Sequence, residues 1–431
     1  MSWLSRLFGR RPPPLPRVRM PPSRLGQPEG SRLLPLGEAF TPTQPKPSRR
    51  QQVRRAAELQ RILQALQEDR AHVVLYSERG RGKTSLSNLV TEGLRRSGTI
   101  VARYTCEAGS TFDTILRGLA SDLPSSLLAP GLQSDQAEGC EAALPSGPLR
   151  PRDVLTLPSR LALTRLVCMV DEFDRVEDVG TRVQLADTIK QLSDRDVPLL
   201  FVIVGVSENL DQILGQHPSI QRNVLGVHLP LFSDGEIAQL IVRGGRESGY
   251  VFSPAAVARV TVLARGIPYM AQLLGLRLTQ AAAARGDTNV SEEDFDAAVT
   301  RLLGDASSSV LGLYASLTNH GRDQEMVAVL RRIASAIQDP WGRLMVTVEP
   351  GGSVMIGERR VSAEEWARLE ESEVLQSCGR GSGLYTFRER PLMHHVLLLA
   401  ARDAALPRVS WPAEAAVNAE AAVPSALIAN R

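Results

Sequence analysis

The sequence predicts an α/β protein: a parallel-sheet core, then a helical lid, then a small domain of helices with a terminal hairpin. Three observations carry this. Short apolar runs without polar alternation (Ala71–Tyr76, Arg165–Val170 and Pro198–Gly205) are interleaved with amphipathic helical segments, as strands covered on both faces should be. A glycine-rich loop joins the first run to the helix that follows it. Beyond residue 230 the periodicity turns helical until a hairpin pattern close to the end.

Composition narrows the class. At 431 residues the chain exceeds one ordinary domain, and 43% hydrophobic with 23% charged residues is a globular composition. Its apolar runs fall short of the ~20 residues that a membrane-spanning helix needs. Aromatic residues make up only 4%, which argues against a base-stacking single-strand binder. Cys106, Cys140, Cys168 and Cys378 are widely spaced and the six histidines are scattered, so neither a zinc site nor a disulfide framework is expected. A reducing, cytoplasmic location follows as an expectation. The start of the chain lacks the pattern of a signal peptide.

The formal charge of +3 averages unlike parts. Residues 1–55 hold eleven prolines and twelve Arg or Lys against Glu29 and Glu38. That is +10 locally, leaving −7 for the rest of the chain. Proline at this density predicts a disordered basic arm over 1–50. It reads either as a solvated tail or as an attachment to DNA, another nucleic acid or an anionic membrane, with Trp3, Leu4, Leu7 and Phe8 as apolar anchors.

The helical segment Val53–Asp69 and the strand Ala71–Tyr76 lead into Ser77-Glu78-Arg79-Gly80-Arg81-Gly82-Lys83-Thr84-Ser85 and an amphipathic helix. Strand, loop and helix in this order are the setting of a Walker A phosphate-binding loop. Glycines at 80 and 82 let backbone amides turn toward phosphate oxygens, and the helix amino terminus adds partial positive charge. Lys83 is placed to reach the β and γ phosphates and Thr84 to hold Mg²⁺. Only three of the fifty basic residues are lysines (Lys46, Lys83 and Lys190), so lysine here suggests that a compact charge is required. The motif departs from its usual form in having Ser77 where a first glycine is expected.

A metal carboxylate and a base for water are expected from Asp171-Glu172-Phe173-Asp174, which closes the run Arg165–Val170. Asp171 suits Mg²⁺, Glu172 suits polarisation of water, and Asp174 suits either this cluster or a cap on the next helix. The run Pro198–Gly205 leads to Ser207 and Asn209. Either can sense a γ-phosphate or cap the following helix. Arg222, just before the strand Val224–Leu229, is placed either as an arginine finger for a neighbouring copy or as a plain surface residue.

These motifs in this order resemble an AAA+ P-loop NTPase, most similar to the origin-recognition (Orc) and STAND-like branch, over about residues 50–305. The resemblance implies ATP as ligand, Mg²⁺ as cofactor, hydrolysis as the activity and self-association through Arg222. The absence of a guanine-reading Asn-Lys-x-Asp motif agrees with adenine. Pro268 of Gly266-Ile267-Pro268 matches the Gly-x-Pro signature of STAND proteins and is assigned to the nucleotide site on that basis. Tyr269 stands where a sensor-2 arginine usually lies, with Arg277 as a substitute two turns on.

The domain reading is an arm 1–50, an ATPase core 51–230, a four-helix lid 231–305, a winged-helix-like domain 306–405 and a loose alanine-rich tail 406–431. Residues 121–150 read as a surface insertion. In the carboxyl-terminal domain, Val374–Ser377 and Leu384–Phe387 make the hairpin, and Pro350–Gly357 reads as a glycine-rich spacer. The third helix holds Glu364, Glu365, Glu370 and Glu371 against Arg368 alone. Four carboxylates oppose phosphate, so this domain is expected to contact protein rather than read a DNA groove.

Overall fold

Leu166–Asp171 (β3) and Leu199–Val206 (β4) are buried along nearly their whole length, a state possible only inside a sheet with helices on both faces. The computed structural model describes residues 33–42, 55–130, 132, 139–161, 165–207, 222–356, 359–378 and 382–403. They fall into two units, one running from Lys46 to Leu229 and the other joining Leu33–Pro45 to Pro230–Arg431.

In the first unit β3 and β4 are joined by His72–Ser77 (β1), Ile100–Thr105 (β2) and Val224–His228 (β5). All pairings are parallel and the order is β2-β3-β4-β1-β5. The longer described helices are Ala56–Gln67 (α1), Lys83–Arg96 (α2), Phe112–Ser121 (α3) and Val179–Asp194 (α4), with single turns at Pro151–Val154 and Leu157–Arg160. Alternation along β1 divides the core in two. Val73 and Leu75 join Ile62, Leu66, Leu86 and Val90 of α1 and α2. Val74 joins Ile115, Leu119, Leu185 and Ile189 of α3 and α4. Because every strand runs the same way, Ser77, Asp171 and Val206 all emerge at one rim, where ligands of open α/β sheets bind.

The stretch 121–150 is more than the surface insertion expected of it. Leu123, Leu128, Cys140, Ala143, Leu144 and Leu149 are buried in the α3–α4 side of the core. Its apolar residues have no regular period because, among the described residues, only short 3-10 turns at Ser125–Leu127 and Glu141–Ala143 carry them.

The second unit opens with Asp234–Ser248 (α5), which starts in a capping box between Ser233 and Glu236. Pro254–Ala264 (α6), Pro268–Ala284 (α7) and Asp294–Gly304 (α8) complete the group of four helices expected as a lid, with the short strands Val251–Phe252 (β6) and Asn289–Val290 (β7) paired between them. Then come Ser308–Leu317 (α9), Gln324–Ala334 (α10), Leu344–Val348 (β8), Val354–Ile356 (β9), Arg359–Val361 (β10), Ala363–Glu371 (α11), Leu375–Ser377 (β11), Leu384–Phe387 (β12) and Arg390–Arg402 (α12). The hairpin β11–β12 is present, but it belongs to a five-stranded antiparallel sheet of order β10-β9-β8-β12-β11. The spacer Pro350–Gly357 therefore contains the β8–β9 turn, at Gly351 and Gly352 with positive φ, and the whole of β9. Lid and carboxyl-terminal elements share one apolar core, from Ile237 and Leu274 through Leu330 to Leu392 and Leu397.

Residues 33–42, inside the arm expected to be disordered, have a defined place in this unit. After a single helical turn, Leu36–Ala39, Phe40 is only 1% exposed. Its ring lies edge-on to Phe252 and fills a notch made by two mid-helix glycines. A Cβ on either Gly244 or Gly275 would meet that ring. Glycine inside a helix costs about 1 kcal/mol relative to alanine, and burial of a phenylalanine returns ~2–3 kcal/mol. Leu34 donates its N–H to the Glu247 carbonyl at 2.8 Å, and Thr41 donates its N–H to Gln272 Oε1 at 2.5 Å.

Two outcomes follow. Phe40→Ala should lower the stability of the second unit by ~2–4 kcal/mol, read as a lower denaturant midpoint. Burial holds His72 and His394 near pKa 4 rather than 6.5, and His72 Nδ1 accepts the Phe201 N–H at 3.0 Å. The unfolded chain then takes up protons below pH 6.5 while the folded chain resists until about 4. Stability should be full above that window and fall through it as pH drops, by up to ~3 kcal/mol per histidine. Urea unfolding at pH 7 and pH 4.5 checks this.

Candidate functional site

The loop after β1 is shaped by Gly80 and Gly82, at φ 80° and 88°. Gly82 is also the N-cap of α2. A Cβ there would meet nothing within 4 Å, so glycine is required for its left-handed backbone and not for space. The first-turn amides of α2 have no side-chain cap and, with the helix dipole, form an anion-directed end. Ser77 is fully buried at the strand end, Thr84 is exposed in the first turn and Ser85 is half-buried.

Lys83 folds back over this loop. Its Nζ donates to the Ser77 and Glu78 carbonyls, each at 2.8 Å. Burial lowers its pKa from 10.5 to about 8, opposed by the carboxylates of Asp174 and Asp171 and aided by the guanidinium groups of Arg81 and Arg79. The sequence-expected lysine and both carboxylates are thus within electrostatic reach of one another.

Asp171 ends β3 and is 7% exposed. Burial raises its pKa, while the Glu172 N–H, which donates to Oδ1 at 2.9 Å, and the Arg103 guanidinium, 4.0 Å from Oδ2, act the other way. Glu172 adopts φ 53°, a left-handed conformation that carries strain for a side-chain-bearing residue. Its carboxylate is half-exposed and accepts from Arg175 at 3.0 Å.

Asp174 does not cap the next helix; Asp178 does, accepting from Gly180 and Thr181. Instead Asp174 Oδ1 accepts the Val206 N–H at 2.8 Å, tying the exit of β3 to the end of β4. Ser207 follows directly and is buried. Asn209, the second sensor expectation, lies outside the described residues. Arg103 and Cys106 were not singled out from sequence. The Cys106 thiol is pushed up to about 12 by burial and by Asp171, Asp174 and Glu172, so it is held protonated beside the acids.

The remaining sequence-expected residues have the following surroundings. The Arg81 side chain, expected in the phosphate cradle, is 1% exposed and turns into the protein, donating to the Leu229 carbonyl at 3.1 Å. Arg222 lines a cleft of about 340 Å³ with His72, Arg165, Pro198 and Asn223. Those residues mark the amino ends of the strands, so Arg222 stands at the opposite rim from its own phosphate loop. Pro268 is buried at the first turn of α7, in the second unit. Tyr269 is partly exposed. Arg277 is engaged by Asp305 at 2.7 Å and by Gln280, which occupies it within the lid.

Residues 65–214 match the AAA domain family. The matched span runs from the end of α1 past the end of β4 and includes Lys83, Asp171 and Ser207. Solved structures with likeness to the chain include the Thermotoga maritima RuvB Holliday junction branch migration motor, at 14% identity over 73% of this chain and 93% of that one, with a TM-score of 0.42. Cdc6p from Pyrobaculum aerophilum matches at 14% identity over 87% and 100%, with a TM-score of 0.45. A Walker-type ATPase of Pyrococcus abyssi matches at 17% identity over 83% and 99%, with a TM-score of 0.49. The strand order, with the glycine loop after β1, is itself that of a P-loop NTPase core. No described helix is long and apolar enough to cross a membrane.

Lys83 gives a direct test of the site. In the ligand-free protein its amine should titrate near pH 8, and polyphosphate should raise that value by about one unit or more. Competitive amine labelling across pH 7–10 reads both; an unchanged titration in the presence of polyphosphate contradicts the assignment.

Proposed function

We propose that the chain binds and hydrolyses ATP with Mg²⁺ and acts as a switch that couples nucleotide state to its second unit. The observation that carries this reading is the meeting of the glycine loop, the half-buried Lys83 and the acids Asp171 and Asp174 at one rim of a parallel sheet. A neutral carbonyl pair is a weak answer to a buried ammonium, and phosphate oxygens are a stronger one. The donor set fits as well. Thr84 hydroxyl and Asp171 carboxylate are hard oxygen ligands of the kind Mg²⁺ takes one or two at a time, leaving other positions to water and phosphate.

When bound, Mg·ATP supplies the electrophilic phosphorus and the cation that offsets charge on its leaving group. The chain supplies the rest. Gly80, Gly82 and the first turn of α2, with Ser85, cradle the phosphates through N–H groups. Lys83 neutralises charge once it leaves the Ser77 and Glu78 carbonyls. Glu172, held at the rim by its left-handed backbone, orients a water and takes its proton on a carboxylate oxygen after parting from Arg175. Ser207, fixed next to the Asp174–Val206 bond, is positioned to report the γ-phosphate. Arg222 is assigned to the site of a second copy, because its own loop lies at the far rim.

The second unit is read as a lid with a winged-helix-like carboxyl-terminal region, on the order helix, helix, three strands, helix, hairpin, helix. On α11, Glu365 pairs with Arg332 and Arg368 with Asp323, leaving Glu364, Glu370 and Glu371 exposed. That surface favours a protein partner. An initiator- or transposition-helper-like role on DNA is the second reading. It rests on the +10 of residues 1–55 and predicts salt-dependent binding lost on deleting residues 1–32, which leaves Phe40 in its core. A nucleotide-gated scaffold without turnover is the third, and the intact Glu172 weighs against it.

An ATPase assay with and without DNA, on full-length and arm-deleted protein, separates these readings. Lys83→Ala should weaken Mg·ATP binding at least about tenfold, whereas Glu172→Gln should keep binding and slow turnover about 100-fold. Wild-type protein without magnesium-dependent ATP binding rules the proposal out.

A further inference from the structure

Arg81 is a motif residue with no task in the phosphate cradle. It sits between Gly80 and Gly82, yet its guanidinium is among the most buried large side chains of the protein. Nη2 forms an ion pair with Glu78 Oε2 at 3.2 Å, and Nη1 donates to the Leu229 carbonyl at 3.1 Å. Leu229 is held from its other side as well, its N–H donating to the Tyr76 carbonyl at 3.0 Å. Leu229 is also the last residue of the first unit, and Pro230 the first of the long segment of the second.

These contacts form a chain of polar links. Lys83 Nζ holds the Glu78 carbonyl, the Glu78 carboxylate holds Arg81, and Arg81 holds the peptide group through which the chain leaves the nucleotide core. Pro230 has no N–H and a fixed φ. The Leu229 carbonyl is therefore the available handle on that peptide plane, and a planar guanidinium with donors on two nitrogens can grip it and Glu78 together. The next polypeptide turn starts α5 at its Ser233 cap.

We propose that Arg81 is a positioning residue that transmits phosphate occupancy of the loop to the Leu229–Pro230 junction, and through it to the start of α5. The proposal rests on the nucleotide reading above. When Lys83 turns from the Glu78 carbonyl to a phosphate, Glu78 is free to shift, and Arg81 carries that shift to the Leu229 carbonyl. Binding by backbone amides and turnover in the second unit's motion are thereby linked through one side chain that does not touch the ligand.

The test uses the full chain with Arg81→Gln, Arg81→Lys and Glu78→Gln, each checked for a wild-type circular dichroism spectrum. Hydrogen exchange is followed over residues 225–236, with and without Mg·ATP, beside steady-state ATP turnover. Without nucleotide, Arg81→Gln should speed exchange of the Leu229 and Leu231 amides at least about fivefold. Mg·ATP should alter exchange over 229–236 in the wild type but not in Arg81→Gln. Its kcat should drop about tenfold with KM within about threefold. Arg81→Lys, which keeps charge but not the fork, should fall between the two.

Unchanged exchange in nucleotide-free Arg81→Gln overturns the grip on Leu229. A raised KM with unaltered kcat makes Arg81 a ligand contact and overturns the positioning role. A wild type that binds no Mg·ATP instead overturns the nucleotide reading, and transmission with it, while the nucleotide-free exchange still shows whether Arg81 secures the junction.

Discussion

A buried ammonium must be surrounded by oxygen, and the architecture of the first unit meets that requirement at Lys83. Burial lowers the pKa of this amine to about 8, and the carboxylates of Asp174 and Asp171, at and just past the end of β3, act against that fall. The arrangement is possible because the sheet is parallel. Strand ends from distant parts of the sequence come out on one side, so the loop after β1 and the acids after β3 face each other across β4. Asp174 then closes the gap by taking the Val206 N–H, which orders the end of β4 next to the loop. Remove the lysine's charge and the Ser77 and Glu78 carbonyls lose their donor, and Asp171 and Asp174 a favourable electrostatic neighbour.

The same rim shows how a protein can hold strain where chemistry is expected. Glu172 keeps a left-handed backbone without being glycine, at a cost of order 1 kcal/mol, and Asp171 stays buried with its pKa raised. Both are tolerated because β3 is covered on each face and cannot relax. Arg103 stabilises Asp171 from β2, so the outer strand contributes to the site as well as to the sheet. The second unit shows close packing at its amino-terminal segment. Phe40 enters between two helices at points where both carry glycine, and lid and carboxyl-terminal elements are joined by one core.

Elements with strong local signals were legible from sequence. The loop Ser77–Ser85, the strand closing in Asp171-Glu172, the capping box at Ser233 and the hairpin β11–β12 each depend on residues close together in the chain. Where the signal was long-range, the reading fell short. Strand β8 alternates buried and exposed positions, but β9 and β10 have three residues each, too few for a period to show. The apolar residues of 121–150 looked irregular because their partners lie on α3 and α4. For Asp174 a helix cap stayed open beside the acid cluster because a cap is the local use of an aspartate, and its backbone partner is thirty-two positions away.

The uneven charge with which the chain begins gained a boundary from the structure. Composition marks residues 1–55 as a basic, proline-rich arm, but composition sums over residues and cannot see one aromatic side chain finding a notch. The sequence by itself determined the chemistry available: which residues can cradle phosphate, hold a hard cation and activate water, and that a parallel sheet would present them. Only the tertiary structure decided where Arg81 points, which rim Arg222 occupies and where the arm ends. Those outcomes depend on contacts between residues over a hundred positions apart, as with Arg81 and Leu229, and no local pattern encodes the distance between them.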